Sequence, residues 1–154
     1  MTDILMKPIG LVHSTRTEPI DDHWADERAH VELDATRFTK EALAGLIGFS
    51  HVIVVYVMHA VDPEQVELVA RNPRNRVDWP KVGIFAQRAK RRPNRIAVSC
   101  CRLLAVDGLR VHVEALDAID GSPVLDLKPW VTELGPRGLV RQPAWMTELM
   151  KDYF

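Results

Sequence analysis

The stretch that decides the fold runs from Ile96 to Leu116: Ile96-Ala-Val-Ser-Cys-Cys-Arg-Leu-Leu-Ala-Val106, then Asp107-Gly108, then Leu109-Arg-Val-His-Val-Glu-Ala-Leu116. Two runs rich in β-branched and apolar residues flank an Asp-Gly pair. That pair between such runs marks a hairpin, because glycine takes the positive φ that a tight turn needs. Two antiparallel strands are therefore expected, and the rest of the chain is read for what pairs with them.

Upstream, Lys7 to Ser14 mixes Ile9, Leu11 and Val12 with Gly10 and reads as a first strand. An acidic loop with Pro19 follows, and His30 to Leu33 is expected to be a short strand that closes it. Thr39 to Ala44 suits one or two helical turns with Thr39 as N-cap. Gly48 to His59 holds Val52-Ile53-Val54-Val55-Tyr56-Val57, a run with little alternation, and is expected to be a central strand buried on both faces. Asn72 to Lys81, with two prolines and four charges, reads as an exposed loop, and Val82 to Ala86 as a short strand. Downstream, Asp120-Gly121-Ser122-Pro123 is a turn into a last strand, Val124 to Lys128, stopped by Pro129. From Pro143 the tail places Trp145 with Leu149, and Met146 with Met150, at helical spacing, as in a terminal helix that caps the core or a partner subunit. Six or seven short strands with few helices predict an all-β barrel or sandwich. The 154 residues fit one domain, with a core over residues 7–131 and a tail over 132–154.

Composition excludes several classes. The longest apolar run, Val52 to Met58, is too short to span a bilayer, and the N-terminus has no export signal, so a cytoplasmic protein without a membrane segment is expected. The two cysteines, Cys100 and Cys101, are neighbours and should face opposite sides of a strand. No Cys-x-x-Cys or His-x-x-x-His pair occurs, and no metal is expected. Ser50-His51 and His13-Ser14 suggest a hydrolase dyad only if the backbone kinks, since neighbours in a strand point apart. His51 and His59 share a strand face but would stand roughly 26 Å apart along it. The Gly-rich signatures of P-loop and Rossmann proteins are absent. Charge is uneven: between Arg71 and Arg95 nine basic residues face one acid, Asp78, so this segment carries +8 and the remainder −9. Such a segment is either a solvated face or a site for an anionic partner, a phosphate backbone or a ligand carboxylate. Asp117, Asp120 and Asp126 surround the last turn. They are either turn residues or carboxylates for ribose hydroxyls or a ligand ammonium.

Several blocks together resemble the TsaA-like (TrmO) family. They are Pro8-Ile9-Gly10-Leu11-Val12-His13-Ser14, Leu46-Ile47-Gly48-Phe49-Ser50-His51, the strand end at His59, and Val82-Gly83-Ile84-Phe85-Ala86-Gln87-Arg88. Arg92-Pro93-Asn94-Arg95-Ile96 and Asp117 through Trp130 complete the set, so the resemblance spans residues 8–130. It implies a small β-barrel with a few short helices, a homodimer, and S-adenosylmethionine as cofactor. It also implies methylation of N6-threonylcarbamoyladenosine beside the tRNA anticodon. Carried onto this chain, His59, Arg88, Val98 through its backbone, and the Asp117 to Asp120 turn would line the cofactor pocket. Arg92, Asn94, Asp126 and Lys128 would hold the basic loop against that turn or face the substrate, and His59 is the candidate base. The chain departs from the family at Pro19-Ile20-Asp21-Asp22-His23-Trp24, where a Pro-Arg-Gln motif is usual. It departs again at Ala89-Lys90, Arg95 and Ala97 of the basic loop. It ends 24 residues after Trp130, where longer bacterial members continue into a C-terminal domain. Two other readings stay open: a methyltransferase with a different acceptor, and a non-catalytic S-adenosylmethionine-binding barrel.

Overall fold

Alternation of buried and exposed side chains organises the molecule. In the computed structural model, which describes residues 2–154, the strands are β1 (Gly10–Ser14), β2 (Arg28–Leu33), β3 (His51–Val57), β4 (Ala70–Arg71), β5 (Val82–Gly83), β6 (Ile96–Asp107), β7 (Arg110–Glu114) and β8 (Pro123–Pro129). One α-helix, α1 (Ala144–Leu149), and several 3₁₀ turns accompany them. Six strands close into an antiparallel barrel in the order β1-β2-β7-β6-β3-β8, and β4 pairs with β5 as a two-stranded flap. No helix among the described residues is long and apolar enough to cross a membrane.

The core is the inner face of these strands: Val12, Ala29, Val31, Leu33, Val52, Val54, Tyr56, Cys101, Leu103, Val111, Val113 and Val124. Each fully buried valine contributes about 1.5–3 kcal/mol of transfer free energy. Expectation and structure part at β3. Its burial alternates, with Val52, Val54 and Tyr56 inside and Ile53, Val55 and Val57 on the half-exposed outer wall. A barrel has one core, so branched residues on the outside serve strand propensity rather than burial. The predicted hairpin forms, but its two loop residues are Gly108 and Leu109, since Asp107 pairs with Arg110. Gly108 has φ +59°, and a positive φ at the first turn residue is the pattern of a type II′ turn. Cys100 and Cys101 do face opposite ways, exposed and buried.

Three smaller readings are corrected. Residues Lys40–Leu43 form a 3₁₀ turn whose Thr39 hydroxyl bonds the Glu41 carboxylate instead of capping the backbone. The segment from Asn72 to Lys81 is exposed over most of its length but is anchored at two points. Pro73 and Trp79 are buried, and the Asn72 amide donates to the Trp79 carbonyl at 2.8 Å. The strand expected at Val82 to Ala86 gives way after Gly83 to a 3₁₀ turn, Ile84–Ala86.

The closing seam, β1 against β8, is short: Gly10 pairs with Val124 and Leu11 with Pro123, extended by Ile9 N–H donating to Val124 O at 2.7 Å. Gly10 sits between two neighbours there, because it also pairs with Leu33 of β2. A Cβ at Gly10 would lie 2.2 Å from the Glu32 carbonyl oxygen and 2.9 Å from Leu33 Cα, both backbone atoms that cannot step aside. Gly10→Ala is expected to cost about 3 kcal/mol, at the upper end for overpacking, read as a lower urea midpoint with an unchanged slope.

Candidate functional site

The inner faces of β3 and β6 end in polar groups. Tyr56 continues the Val52, Val54 row and Ser99 continues the Cys101, Leu103 row, so both hydroxyls emerge at one end of the barrel. They converge on Asp117, in the segment between β7 and β8. Tyr56 OH donates to the Asp117 carbonyl at 2.6 Å and to Oδ1 at 3.1 Å, and Ser99 Oγ donates to Oδ1. Tyr153, from the tail, donates to Oδ2 at 2.5 Å. Burial, reinforced by the Asp117 charge, pushes both phenols well above their ordinary pKa, so they remain donors at any working pH.

Asp117 lies on the wall of a cavity of about 1010 Å³. Besides Asp117, the wall takes in Met58 and His59 after β3, Gln87 to Arg92 of the basic loop, Ile96 to Cys100 of β6, and Ser122. Pro19 to Asp21 and Trp24 of the loop after β1 close one side. The tail closes another: Trp145, Met146, Leu149 and Met150 all line the cavity, so the helical spacing anticipated there serves the site rather than the barrel core. Backbone bonds seat this tail on the first loop, His23 N–H to Asp152 O at 2.9 Å and Trp24 N–H to Tyr153 O at 2.8 Å. Glu148 also accepts from Trp79 Nε1 at 2.9 Å. Ser122 Oγ is fully buried without a hydrogen-bond partner in this wall.

The basic loop is built from backbone-directed bonds. Arg88 donates to the Val98 carbonyl at 2.6 Å, Arg92 to the Gln87 carbonyl, and Arg95 to the Val61 carbonyl at 2.9 Å. Buried Gln87 ties the loop to the flap, donating to Arg71 O at 3.0 Å and Val82 O at 2.8 Å. The acidic first loop pairs with this basic wall. Lys90 meets Asp21 at 2.6 Å, and Arg74 binds Asp22 through two nitrogens, at 2.8 and 2.5 Å. The Arg74 hydrogen bond holds the Asp22 carboxyl below the usual carboxylate range. Of the nine bases, Arg71, Lys81, Arg88, Arg91, Arg92 and Arg95 form no ion pair among the described residues.

His59, Arg88, Arg92, Val98 and Asp117 thus share one cavity. His59 stands at its exposed mouth, against the Asp120-Gly121 turn: a Cβ at Gly121 would lie 3.9 Å from His59 Nε2. Four other anticipated residues lie off the cavity wall. Asp120 Oδ1 accepts from Ser14 N–H at 3.1 Å and braces the turn. Asn94 is exposed beside the basic loop. Asp126 and Lys128 pair with each other at 2.5 Å on β8, as side chains two apart on one strand face can. Ser50 Oγ does reach His51 Nδ1, at 2.9 Å, contrary to expectation, because Ser50 precedes β3 in a bend; neither residue lines the cavity. Sequence reasoning missed Tyr56, Ser99, Ser122 and Tyr153. The signal for the first two was present, a hydroxyl on the core parity of an apolar strand.

Comparison with known proteins identifies the family. The family model of the tRNA-methyltransferase O N-terminal domain matches residues 12–135. A "Probable S-adenosyl-L-methionine-binding protein" of Methanothermobacter thermautotrophicus is 32% identical over 140 residues, covering 88% of this chain and 96% of its own length. A tRNA (adenine(37)-N6)-methyltransferase of Mus musculus is 31% identical over 141 residues, covering 85% of this chain but only 32% of the mouse protein. The crystal structure of TrmO from Pseudomonas aeruginosa superposes with a TM-score of 0.73 at 28% identity, over 91% of this chain and 62% of that one. The match over residues 12–135 places the chain in the family of the tRNA-methyltransferase O N-terminal domain, and the closed barrel is the fold it shares with the TrmO structure.

Proposed function

We propose that this chain is a single-domain, S-adenosylmethionine-dependent methyltransferase that methylates N6 of threonylcarbamoyladenosine beside the tRNA anticodon, acting as a cytoplasmic homodimer. The observation that carries the reading is that His59, Arg88, Val98 and Asp117, reached from the family resemblance, line one cavity. The names of the Methanothermobacter and mouse relatives support the cofactor and the acceptor in turn.

The residues present fit the cofactor. Ser122 Oγ is an orphaned buried hydroxyl on the cavity wall, which a polar ligand atom would satisfy. Asp117, Ser122 and the Arg88–Val98 strand end would hold it, with Trp145, Met146 and Leu149 excluding water. When bound, S-adenosylmethionine supplies an electrophilic methyl on a sulfonium, whose leaving group is neutral. The chain's work is then alignment and water exclusion. An acceptor nitrogen that carries a carbonyl substituent is a poor nucleophile, and His59, exposed at the mouth, is placed to take the proton it loses. The six bases without ion pairs supply the positive surface that would meet tRNA phosphates.

A methyltransferase with a non-tRNA acceptor is the second reading. It is favoured by Arg74 and Lys90 being committed to the first loop, which leaves less free charge for a phosphate backbone.

Four measurements test these readings. Labelled methyl is expected to enter only threonylcarbamoyl-bearing, unmethylated tRNA. His59→Ala should lower kcat by about 100-fold or more, with cofactor affinity unchanged, and unchanged turnover would remove His59 from the chemistry. Asp117→Asn should weaken S-adenosylmethionine binding about tenfold in calorimetry while circular dichroism is preserved, since an uncharged group replaces the carboxylate that accepts from three hydroxyls. If tRNA is the acceptor, binding should fall steeply with salt. Arg91→Ala should then reduce the log–log slope by about 1, whereas salt-independent binding favours the second reading.

A further inference from the structure

Three histidines stand side by side on the outer wall of the barrel. His13 of β1 pairs in register with His30 of β2, and His30 with His112 of β7. Their neighbours Val12, Ala29, Val31, Val111 and Val113 fill the core, so parity turns all three imidazoles outward. The rings of His13 and His30 stack with centroids 4.8 Å apart and 16° between planes, and His112 lies 5.3 Å from His30. Glu32, two residues along β2 on the same face, reaches diagonally across: its Oε2 is 3.3 Å from His13 Nε2, while Oε1 accepts from Arg110 at 3.1 Å. One donor atom each from His13, His30 and Glu32 lies within 4.8 Å of the others. No residue of β1, β2 or β7 lines the cofactor cavity.

We propose that His13, His30 and Glu32 form a binding site for a divalent transition-metal ion of the zinc type, on the barrel wall apart from the methyl-transfer cavity. Zinc takes imidazole nitrogens and carboxylate oxygens at about 2.0–2.2 Å in tetrahedral geometry, which sets donor separations of roughly 3.3–3.5 Å. The His13–Glu32 pair already has that spacing. A donor atom of His30 lies within 4.8 Å of the other two, and the sheet register holds its Cα opposite His13, so a change of side-chain rotamer is what would bring it to the ion. Burial first, then the flanking His13, His112 and Arg110, push the His30 pKa down, against a smaller opposing pull from Glu32, which favours the neutral form that a ligand takes. Arg110 holds the second carboxylate oxygen and so orients Glu32, the part that partners behind the ligands play in zinc sites. Three protein donors leave a fourth position for water. The side chains of His13 and Glu32, 44% and 39% exposed, leave the ion a way in. The ion would bridge β1 and β2 beside the seam that closes the barrel.

Zinc alone is the probe. Untagged, chelator-treated full-length chain, titrated with Zn²⁺ by calorimetry at about pH 7.5, is expected to bind one ion. Binding should weaken as the pH is lowered, because protons compete with zinc for the ligand atoms. His30→Ala and Glu32→Gln should each weaken it by about tenfold or more, with circular dichroism and S-adenosylmethionine binding unchanged. Glu32→Gln keeps the side-chain shape and guards against a folding defect in His30→Ala. Absence of saturable binding by the unaltered chain overturns the proposal. So does binding that survives both substitutions, or that disappears only in His59→Ala or Cys100→Ala.

Discussion

The site hangs on one carboxylate. Asp117 is part-buried and forms no ion pair among the described residues; it is held instead by hydroxyls from β3, β6 and the tail. A carboxylate away from water without a counter-charge costs several kcal/mol, and only hydrogen bonds to its charged form offset that. Tyr56 and Ser99 are therefore polar interruptions of the core placed where the barrel needs them, and Tyr153 makes the last residues part of the same arrangement. Losing any one hydroxyl would leave an acceptor short in a low-dielectric wall, so cavity shape, tail position and the end of the barrel are coupled through Asp117.

Electrostatics act on a second scale, between the acidic first loop and the basic segment. In sequence the latter is a +8 block. In the fold, Asp21 and Asp22 take up Lys90 and Arg74, and the Arg16 guanidinium stacks over Trp24 at 4.2 Å while bonding the Asp22 carbonyl at 2.9 Å. The first loop is thus attached by two carboxylates that dock on the basic wall beside the cavity. Pairs that are half-exposed contribute little to stability by themselves. Two of them together with the tail's backbone bonds define where the first loop lies. Bases whose guanidinium groups cap carbonyls, such as Arg88 and Arg95, keep their charge and remain available to an anion.

How far the sequence could be read depends on the range of each interaction. The hairpin at Gly108, the strand at Val124 and the terminal helix rest on local propensity and turn chemistry, and they formed close to where the residues place them. β3 was misjudged because a run of branched residues looks the same whether one wall or two bury it; only closure of the sheet decides. Trp79 looked like a loop residue because part of what holds it, Glu148 of the tail, is distant in sequence, although the Asn72 bond to its carbonyl is local. At the site, His59, Arg88, Val98 and Asp117 were reached through the ordered blocks of the family resemblance. Asp120 and the Asp126–Lys128 pair belong to the same blocks but support the turn and the strand wall. Nothing local in the last ten residues indicates that Tyr153 would meet Asp117.

The histidine row was illegible for a related reason. His13, His30 and His112 have no recurring spacing in the chain, and become neighbours only through the register of three strands. That register is set from the inside. The same parity that buries Val12, Val31 and Val111 sends the histidines outward, and a slip of one residue in β2 would put His30 and Glu32 into an apolar core. Such a slip would bury a charge and a polar ring for no hydrogen bond, a cost well beyond the loss of Val31 from the core. Packing inside the barrel therefore specifies the chemistry on its outside, and Gly10, by letting β1 approach β2 closely at the seam, holds that register where the first histidine stands.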